Sequence, residues 1–310
     1  MRIVFMGTPE FGVPVLQLLV LNGYHVVSVY TQPDKPVGRG QKLIPTPVKR
    51  EALKLGLPVL QPDNLKNVDV AAELVDFKAD FIIVAAYGQI LPKMVLDTPV
   101  LGCVNIHPSL LPRYRGASPI HSAILDAAEF TGVSIMLMNE GLDTGPVLTR
   151  AQIPIADNDT AASLRLKLSL IAANLLQDVL PDFKKGQIIP RIQDESRATY
   201  SGMITRKSGE IDWHMPADFI WRQARAFHPW PGCYTHWRGK RVKVVEAIPV
   251  IDERDAIEGQ VLATTDGGFA IRTGTGTLKI LTLQLEGKRE MTASEFLRGQ
   301  RQLIDDVLPN

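Results

Sequence analysis

The sequence contains few cysteines and no repeated or low-complexity stretch. Cys103 and Cys233 are the only two in 310 residues, and they lie far apart in the chain. A disulfide framework or a thiolate metal site usually shows more cysteines at closer spacing. We therefore expect both to be small buried hydrophobes in a reducing compartment, and we predict no metal site.

Long apolar runs are also missing. The stretch VPVLQLLVL is interrupted by a glutamine, and the N-terminal MRIVFMGTPE has an apolar run of only four residues. A membrane helix needs about 20 apolar residues, and a signal peptide needs an apolar region of about 7–15. We expect no membrane partner and a cytoplasmic location. The formal net charge is +1, so only local basic patches could indicate a nucleic-acid partner.

Short β-branched strands alternate with helical patterns over the first part of the chain. The stretches RIVFMG, HVVSVYTQ, DFIIVAAYG and CVNIH are largely apolar, and helical patterns separate them. Such strands are typical of a parallel sheet that is covered on both faces. The stretches TGVSIMLMN and PVLTRAQIPI follow as a closing pair. The predicted fold class is therefore α/β, with a Rossmann-like, mostly parallel sheet domain over residues 1–189.

The clearest helix is predicted over residues 159–180. Asp159 or Thr160 can cap its start, and Pro181 is expected to end it. Its apolar stripe lies at helical offsets of 0, 4, 7, 11 and 15, which are occupied by Leu164, Leu168, Ile171, Leu175 and Val179.

A polar segment without periodicity, residues 190–205, is interpreted as a linker. Beyond it, short strand patterns recur between glycine-containing turns: CYTHW, RVKVVEAIPV, GQVLATT, GFAIRTG and TLKILTLQLEG. Regularly spaced short strands are typical of a small antiparallel barrel. We predict an OB-like β-barrel domain over residues 206–310.

Two short motifs allow both a functional and a plain structural interpretation. GTPEFG follows the first strand, but the spacing from Gly7 to Gly12 lacks the middle glycine of a dinucleotide fingerprint. A tight strand-to-helix turn is favoured over a backbone-amide pocket for a substrate group. The D-T-G triplet at Asp143 also occurs in aspartic proteases, which need two catalytic aspartates. No second D-[ST]-G occurs, so a protease is not expected.

The stretch CVNIHPSLLPRYRG carries the strongest functional signal. Asn105 and His107 are two positions apart on a predicted strand and project to the same face. Ligands of open α/β sheets bind beyond the carboxyl ends of the strands. The pair alone is equally consistent with a hydrogen-bonded group in the core. The donors of Arg113 and Arg115 and the carboxylate of Asp143 favour a site, in which Asp143 would hold His107 in its charged form.

This stretch resembles the signature of the formyltetrahydrofolate-dependent formyltransferases, and within them the methionyl-tRNA formyltransferases. The likeness rests on NIHPSLLPRYRG and LDTG. It extends over nearly the whole chain through FMGTPEFG, TQPDKPVGRGQKL, VAAYGQILP, IDW and RAFHPWPG. Smaller relatives, such as the glycinamide ribonucleotide enzyme, share the Asn-His-Asp core but lack the second domain and the basic insertion.

The resemblance implies transfer of a formyl group from 10-formyltetrahydrofolate to the α-amino group of methionyl-initiator tRNA, for translation initiation. Asn105 and a protonated His107 would donate to the oxyanion, and Asp143 would relay a proton. No metal or covalent intermediate is implied. The folate co-substrate would lie along two stretches whose leucines could instead be core residues: Tyr87, Gly88, Ile90, Leu91, Ser109, Leu110, Leu111 and Pro112.

Basic residues in two regions are the candidates for contact with tRNA. Residues 35–50, interpreted as a long loop, contain five basic side chains and no acid. The resemblance implies that Arg39 and Lys42 reach the acceptor end. In the second domain, with Trp237 available for stacking, the candidates are Arg206, Lys207, Arg238, Lys240 and Arg241. A solvated surface loop and a charged hairpin edge are the respective structural alternatives.

Two other functions fit part of the pattern. One is a formyltransferase that acts on a small amine, such as an amino sugar nucleotide, and the basic segment over residues 35–50 argues against it. The other is a non-catalytic RNA-binding protein, and the intact Asn105, His107 and Asp143 argue against it. A monomer is expected, because nothing in the sequence demands an oligomer.

Overall fold

The computed structural model describes residues 1–37, 41–252 and 254–309. It divides the chain into two compact units. The first consists of residues 1–119, 130–154 and 165–201, and the second consists of residues 120–129, 155–164 and 202–310.

The secondary structure follows the predicted alternation of strands and helices. The strands are β1 (Arg2–Gly7), β2 (His25–Tyr30), β3 (Lys35–Val37), β4 (Lys42–Ile44), β5 (Val59–Leu60), β6 (Phe81–Ala85), β7 (Cys103–His107), β8 (Arg115–Gly116), β9 (Phe130–Leu137), β10 (Val147–Pro154), β11 (Tyr200–Ser201), β12 (Cys233–Trp237), β13 (Lys240–Val250), β14 (Val261–Ala263), β15 (Phe269–Arg272), β16 (Thr277–Leu285) and β17 (Glu290–Thr292). The helices are α1 (Val13–Leu21), α2 (Pro47–Lys54), α3 (Val68–Asp76), α4 (Lys93–Leu96), α5 (Pro119–Leu125), α6 (Ala161–Lys184), α7 (Ala217–Ala226) and α8 (Ala293–Gly299).

The first unit is built on a seven-stranded sheet in the order β10-β9-β7-β6-β1-β2-β5. The five strands β5, β2, β1, β6 and β7, in this order across the sheet, pair in parallel. Strand β9 pairs antiparallel with both β7 and β10. All five residues of β6 are buried, as expected for a strand covered on both faces. The predicted α/β class and the mostly parallel sheet are therefore confirmed.

The order of the strands reverses at β1, which lies between β2 and β6. In open α/β sheets, ligands bind outside the carboxyl ends of the strands near such a point. The GTPEFG turn follows β1 there. A Cβ atom at Gly12 would lie 3.2 Å from Val48 Cγ2 and 3.4 Å from the carbonyl oxygen of Ala85. This close packing supports the interpretation of GTPEFG as a tight turn.

Helix α6 is longer than its sequence predicts. Thr160 caps its start, since its Oγ1 accepts a hydrogen bond from the Ser163 amide at 3.2 Å. The prediction that Pro181 ends the helix is wrong, because α6 continues to Lys184. A proline there removes a single backbone donor close to the helix end, whereas Gly186, with φ of 72° in the left-handed region, provides the stop.

In the described residues of the basic segment, 35–37 and 41–50, regular structure replaces part of the predicted loop. Strands β3 and β4 pair antiparallel, with Lys35 opposite Ile44, and α2 begins at Pro47. Lys49 is not a free basic contact, because its Nζ donates to Asp34 Oδ2 at 2.7 Å and to Gln61 Oε1 at 2.6 Å. These bonds hold the start of α2 against the residues next to β3 and β5.

The second unit contains six antiparallel strands in the order β12-β13-β16-β15-β14, and β17 also pairs with β16. The predicted turn between β12 and β13 is present, with Arg238 and Gly239 at φ values of 50° and 68°. The strand pairs found in the described part of the chain form an open path. The antiparallel sheet is thus confirmed, and its closure into a barrel stays a prediction.

Gly132 on β9 should not tolerate a side chain. A Cβ atom there would overlap the carbonyl oxygen of Ala151 on the neighbouring strand β10. We expect Gly132→Ala to destabilise the protein by about 1–3 kcal/mol through overpacking, measured as a lower midpoint of urea unfolding. Gly202→Ala is the matched control, since a Cβ at Gly202 meets nothing within 4 Å. Equal midpoints for the two variants would contradict this account of the β9–β10 contact.

Candidate active site

The carboxyl end of β7 presents two polar side chains. Asn105 is half-buried, and His107 is only 4% exposed. Their register is fixed by both neighbouring strands, because Asn105 lies opposite Val84 on β6 and opposite Met136 on β9. The predicted placement at the carboxyl edge of a central strand is therefore confirmed.

Asp143 lies in the connection between β9 and β10 and reaches the same place. Its Oδ1 accepts a hydrogen bond from Asn105 Nδ2 at 3.2 Å, and its Oδ2 accepts one from the Gly116 amide at 2.8 Å. Oδ2 is also 3.6 Å from His107 Nδ1. Side chains from two segments that are distant in sequence thus meet at one point, with the Asp143 carboxylate between the Asn105 amide and the His107 imidazole.

The hydrogen bonds of His107 define the roles of its two ring nitrogens. Nε2 lies 2.9 Å from the carbonyl oxygen of Tyr114. A carbonyl can only accept, so Nε2 carries a hydrogen and donates it. The other nitrogen, Nδ1, faces Asp143 and is the one that can exchange a proton with a substrate.

Burial and charge act in opposite directions on this imidazole. Burial lowers the pKa of His107, whereas the carboxylate of Asp143 and the bond to Tyr114 raise it, and burial has the larger effect. The pKa therefore falls below its usual value near 6.5, and the ring is neutral at pH 7. The expectation that Asp143 keeps His107 charged is wrong for the free protein.

The guanidinium groups of Arg113 and Arg115 donate hydrogen bonds to other protein groups and not to the site. Arg115 is fully buried, and its guanidinium donates to the side chains of Gln193 and Glu195. Arg113 is exposed, and its Nη2 donates to the hydroxyl of Tyr114 at 2.8 Å. Arg115 is therefore a buried structural group, contrary to the expectation from sequence.

The candidate folate residues divide into core and accessible positions. Leu91 and Leu111 are buried within apolar clusters, and Leu111 packs with Met136 and Val147. Tyr87 and Ser109 are also buried, and the Tyr87 carbonyl accepts a hydrogen bond from Thr8 Oγ1 at 2.7 Å. The core alternative therefore describes these side chains. The remaining candidates are exposed or half-buried: Gly88, Ile90 (88% exposed), Leu110 and Pro112.

Most of the candidate tRNA residues are accessible. Arg39 lies outside the described residues. The exposed candidates are Lys42, Arg206, Lys207, Arg238, Lys240 and Arg241. Trp237 is only 4% exposed, and its Nε1 donates to Asp306 Oδ2 at 2.7 Å. The expectation that Trp237 is available for stacking on a base is therefore wrong.

Neither cysteine is suited to chemistry. Both are free and buried, and burial raises the pKa of Cys103 to about 12.

Within the described residues, no group of three or more His, Cys, Asp or Glu side chains is arranged to hold a metal ion. The same residues include no helix with the length and apolar character needed to span a membrane.

Gln193 belongs to the site, although the sequence analysis missed it. Its Nε2 donates to the carbonyl oxygens of Asp143 at 2.8 Å and of Gly145 at 2.7 Å. No local sequence signal identifies it, because it lies in a polar segment without periodicity, far from the D-T-G triplet in sequence.

The chain matches known proteins over most of its length. A family model described as formyl transferase matches residues 1–180, and one described as formyl transferase, C-terminal domain, matches residues 203–301. The chain belongs to the formyl transferase family. The methionyl-tRNA formyltransferase of Halalkalibacterium halodurans is 47% identical over 300 residues, covering 96% of this chain and 95% of that protein. The Bacillus subtilis protein of the same name is 42% identical over 308 residues, covering 99% and 97%.

Solved structures of other formyl transferases share the fold at low identity. HypX from Aquifex aeolicus in complex with tetrahydrofolic acid has a TM-score of 0.64 and 20% identity, covering 99% of this chain and 48% of that chain. WlaRD, a sugar 3N-formyl transferase, has a TM-score of 0.66 and 19% identity, covering 93% and 99%. At this identity the likeness supports the fold alone.

In this formyl transferase, Asp143→Asn should lower the pKa of His107 further. The substitution removes the negative charge that favours the imidazolium, while the burial that disfavours it remains. Proton-detected NMR titration of the His107 ring, assigned with a His107→Gln variant, measures the change. Asp97→Asn, which removes an exposed carboxylate paired with Lys93, is the control and should leave the titration unchanged. An unchanged pKa in Asp143→Asn would contradict the electrostatic coupling.

Proposed function

We propose that the protein transfers the formyl group of 10-formyltetrahydrofolate to the α-amino group of methionyl-initiator tRNA, as an enzyme of translation initiation. The observation that carries the proposal is the convergence of Asn105, His107 and Asp143. It occurs in a chain that is 42–47% identical, over nearly its whole length, to proteins named methionyl-tRNA formyltransferase.

The acceptor amine needs little activation. A free α-amino group has a pKa of about 7.7–8.0, so a substantial part is neutral and nucleophilic near pH 7. The nitrogen attacks the formyl carbon, a C–N bond forms and the carbonyl oxygen gains negative charge. The protein must then stabilise that charge and carry a proton from the new nitrogen to the departing N10.

His107 is proposed to carry this proton through Nδ1. Nε2 is occupied by the Tyr114 carbonyl, and the neutral ring leaves a lone pair on Nδ1. Nδ1 accepts the proton lost by the attacking nitrogen, and Asp143 at 3.6 Å stabilises the imidazolium that results. The same proton then passes from Nδ1 to N10 as the C–N10 bond breaks. General acid–base catalysis of this kind contributes about 10²–10⁴-fold.

Asn105 is proposed to stabilise the oxyanion. One hydrogen of its Nδ2 is directed to Asp143 Oδ1, which fixes the amide plane and leaves the second hydrogen available to a substrate oxygen. An imidazolium at His107 would supply a second donor. In this proposal Asn105 and His107 are both oxyanion donors, as the sequence predicts. The difference is that His107 is charged only during transfer and not permanently.

The region after β6 fits the binding of a folate. Gly88 has φ of 89°, and the side-chain amide of Gln32 lies beside it. Within the described residues, Gln32 Nε2 is a buried donor without a hydrogen-bond partner, which a heterocyclic acceptor would satisfy. We propose that the co-substrate lies along residues 87–91 and 109–112, with Ile90, Leu110 and Pro112 as its accessible apolar contacts.

The tRNA is proposed to contact both parts of the chain. Arg39 and Lys42 would approach the acceptor end, and Arg206, Lys207, Arg238, Lys240 and Arg241 would contact the backbone. The domain arrangement proposed is a catalytic domain over residues 1–189, a linker over 190–205 and an OB-like barrel over 206–310. We further propose a monomer that works in the cytoplasm without a metal ion.

A small-amine formyltransferase is the competing function, since sugar formyl transferases share the fold. We expect formyl transfer to charged initiator tRNA and none above background to amino sugar nucleotides, measured with 10-formyltetrahydrofolate as donor. Uncharged tRNA is the control. Preferential transfer to an amino sugar nucleotide would refute the proposed acceptor.

Asn105→Ala should reduce kcat by about 10²–10³-fold, as expected for loss of one oxyanion donor. Binding of charged tRNA, measured by fluorescence anisotropy, should be nearly unchanged, because the amide acts on the formyl oxygen. Asn64→Ala, at an exposed asparagine, is the control. A reduction of less than about threefold in the Asn105 variant would remove this residue from the oxyanion role.

A further inference from the structure

Residues 191–201 are here called the strap. They form hydrogen bonds with two segments next to the candidate site, the start of β10 and strand β8. Near its start, Arg191 and Val147 exchange backbone hydrogen bonds at 2.8 and 2.9 Å. At its end, β11 pairs in parallel with β8, so that Tyr200 lies opposite Arg115 and Ser201 opposite Gly116. The segment that sequence suggests to be a linker is thus bonded to the first unit at both ends.

Gln193 connects the strap to the D-T-G loop. It is 7% exposed, and its Nε2 donates both hydrogens, one to the carbonyl of Asp143 and one to that of Gly145. Asp143 itself has φ of 51°, in the left-handed region that a non-glycine residue rarely adopts. Such a conformation persists only where the surroundings enforce it, and Gln193 bonds the carbonyl of Asp143 itself and the carbonyl of Gly145, two residues further on.

Arg115 fixes the orientation of the Gln193 amide. Its Nε and Nη2 donate to Gln193 Oε1 at 3.1 and 3.0 Å. Because the guanidinium is a donor only, the oxygen of the amide must face it and the NH2 group must face the loop. Glu195 completes the arrangement by accepting two hydrogen bonds from Arg115, at 2.9 and 2.7 Å.

The other end of the strap positions the opposite side of the site. Thr199 accepts hydrogen bonds from the amides of Tyr114 and Arg115, each at 2.8 Å. Ser201 Oγ donates to the Arg115 carbonyl at 3.1 Å. The backbone held in this way supplies the Tyr114 carbonyl that binds His107 and the Gly116 amide that binds Asp143.

We propose that Gln193 is a positioning residue for the formyl-transfer reaction, and that the strap is part of the catalytic machinery. Gln193 sets the backbone of Asp143, and Asp143 in turn sets the environment of the His107 ring. The kinetic test of this inference rests on the proposed function. The positioning of Asp143 by Gln193 rests only on the hydrogen bonds between them.

The test uses the full-length protein with Gln193→Leu, which keeps the size of the side chain but donates no hydrogen bond. We expect kcat for transfer to charged initiator tRNA to fall about 10- to 100-fold, as for a displacement of about 1 Å in a catalytic group. KM for each substrate should stay within about twofold. The imidazole of His107, which faces the carboxylate of Asp143 and the carbonyl of Tyr114, should titrate at lower pH by NMR.

Gln187→Leu is the matched control, because it makes the same change at an exposed position just before the strap. Should Gln193→Leu fail to fold by circular dichroism, Gln193→Asn keeps the amide but shortens its reach, and the same losses are expected. A folded variant with kcat within twofold of the parent overturns the proposal. So does a reduced kcat with an unchanged His107 titration, or a raised KM alone.

Failure of the proposed function and failure of the role of Gln193 would give different results. If the parent protein transfers no formyl group to any acceptor tested, the proposed function fails, and the NMR titration of Gln193→Leu still decides whether Gln193 positions Asp143. If the parent is active and the variant is indistinguishable from it in both readouts, only the inference about the strap fails.

Discussion

The candidate site depends on one carboxylate held from two directions. Asp143 accepts hydrogen bonds from the Asn105 side chain and the Gly116 amide and faces the His107 ring. The antiparallel pairing of β9 with β7 makes this possible, because it turns the chain back so that the loop after β9 returns to the carboxyl end of β7. A slip of one residue in that register would turn Asn105 and His107 to the other face of the sheet.

In the site without substrate, burial and the nearby carboxylate have opposite effects on the pKa of His107. His107 is almost fully buried, which favours a neutral ring, while a carboxylate stands 3.6 Å away, which favours a charged one. A group balanced in this way changes protonation when a substrate adds or removes a small amount of charge nearby. In the proposed reaction that change accompanies the proton's passage between two nitrogens. Because the Asp143 carboxylate favours the imidazolium, its position beside the ring affects the free-energy cost of charging His107.

Sequence reasoning succeeded where one local rule decides the outcome. Asn105 and His107 share a face because strand side chains alternate, and the Asp143 carboxylate joins them in the site as the sequence predicts. It failed where two local signals compete, since α6 passes Pro181 and ends just before Gly186. It also failed where burial decides, since burial outweighs the charge of Asp143 in setting the pKa of His107. Gln193 could not be predicted, since its partners are carbonyl oxygens, which every residue of the chain possesses.

The strap lies between the two regions that family models recognise, which end at residue 180 and resume at residue 203. Boundaries drawn from those models would therefore assign residues 191–201 to neither module. A chimera that joins the first module of one relative to the second module of another inherits a mismatched strap unless the crossover falls after Ser201. An attempt to separate the enzyme into two halves must therefore keep Gln193 and Glu195, the partners of the buried Arg115 guanidinium, with the first half. The boundaries of the two family models do not ensure this.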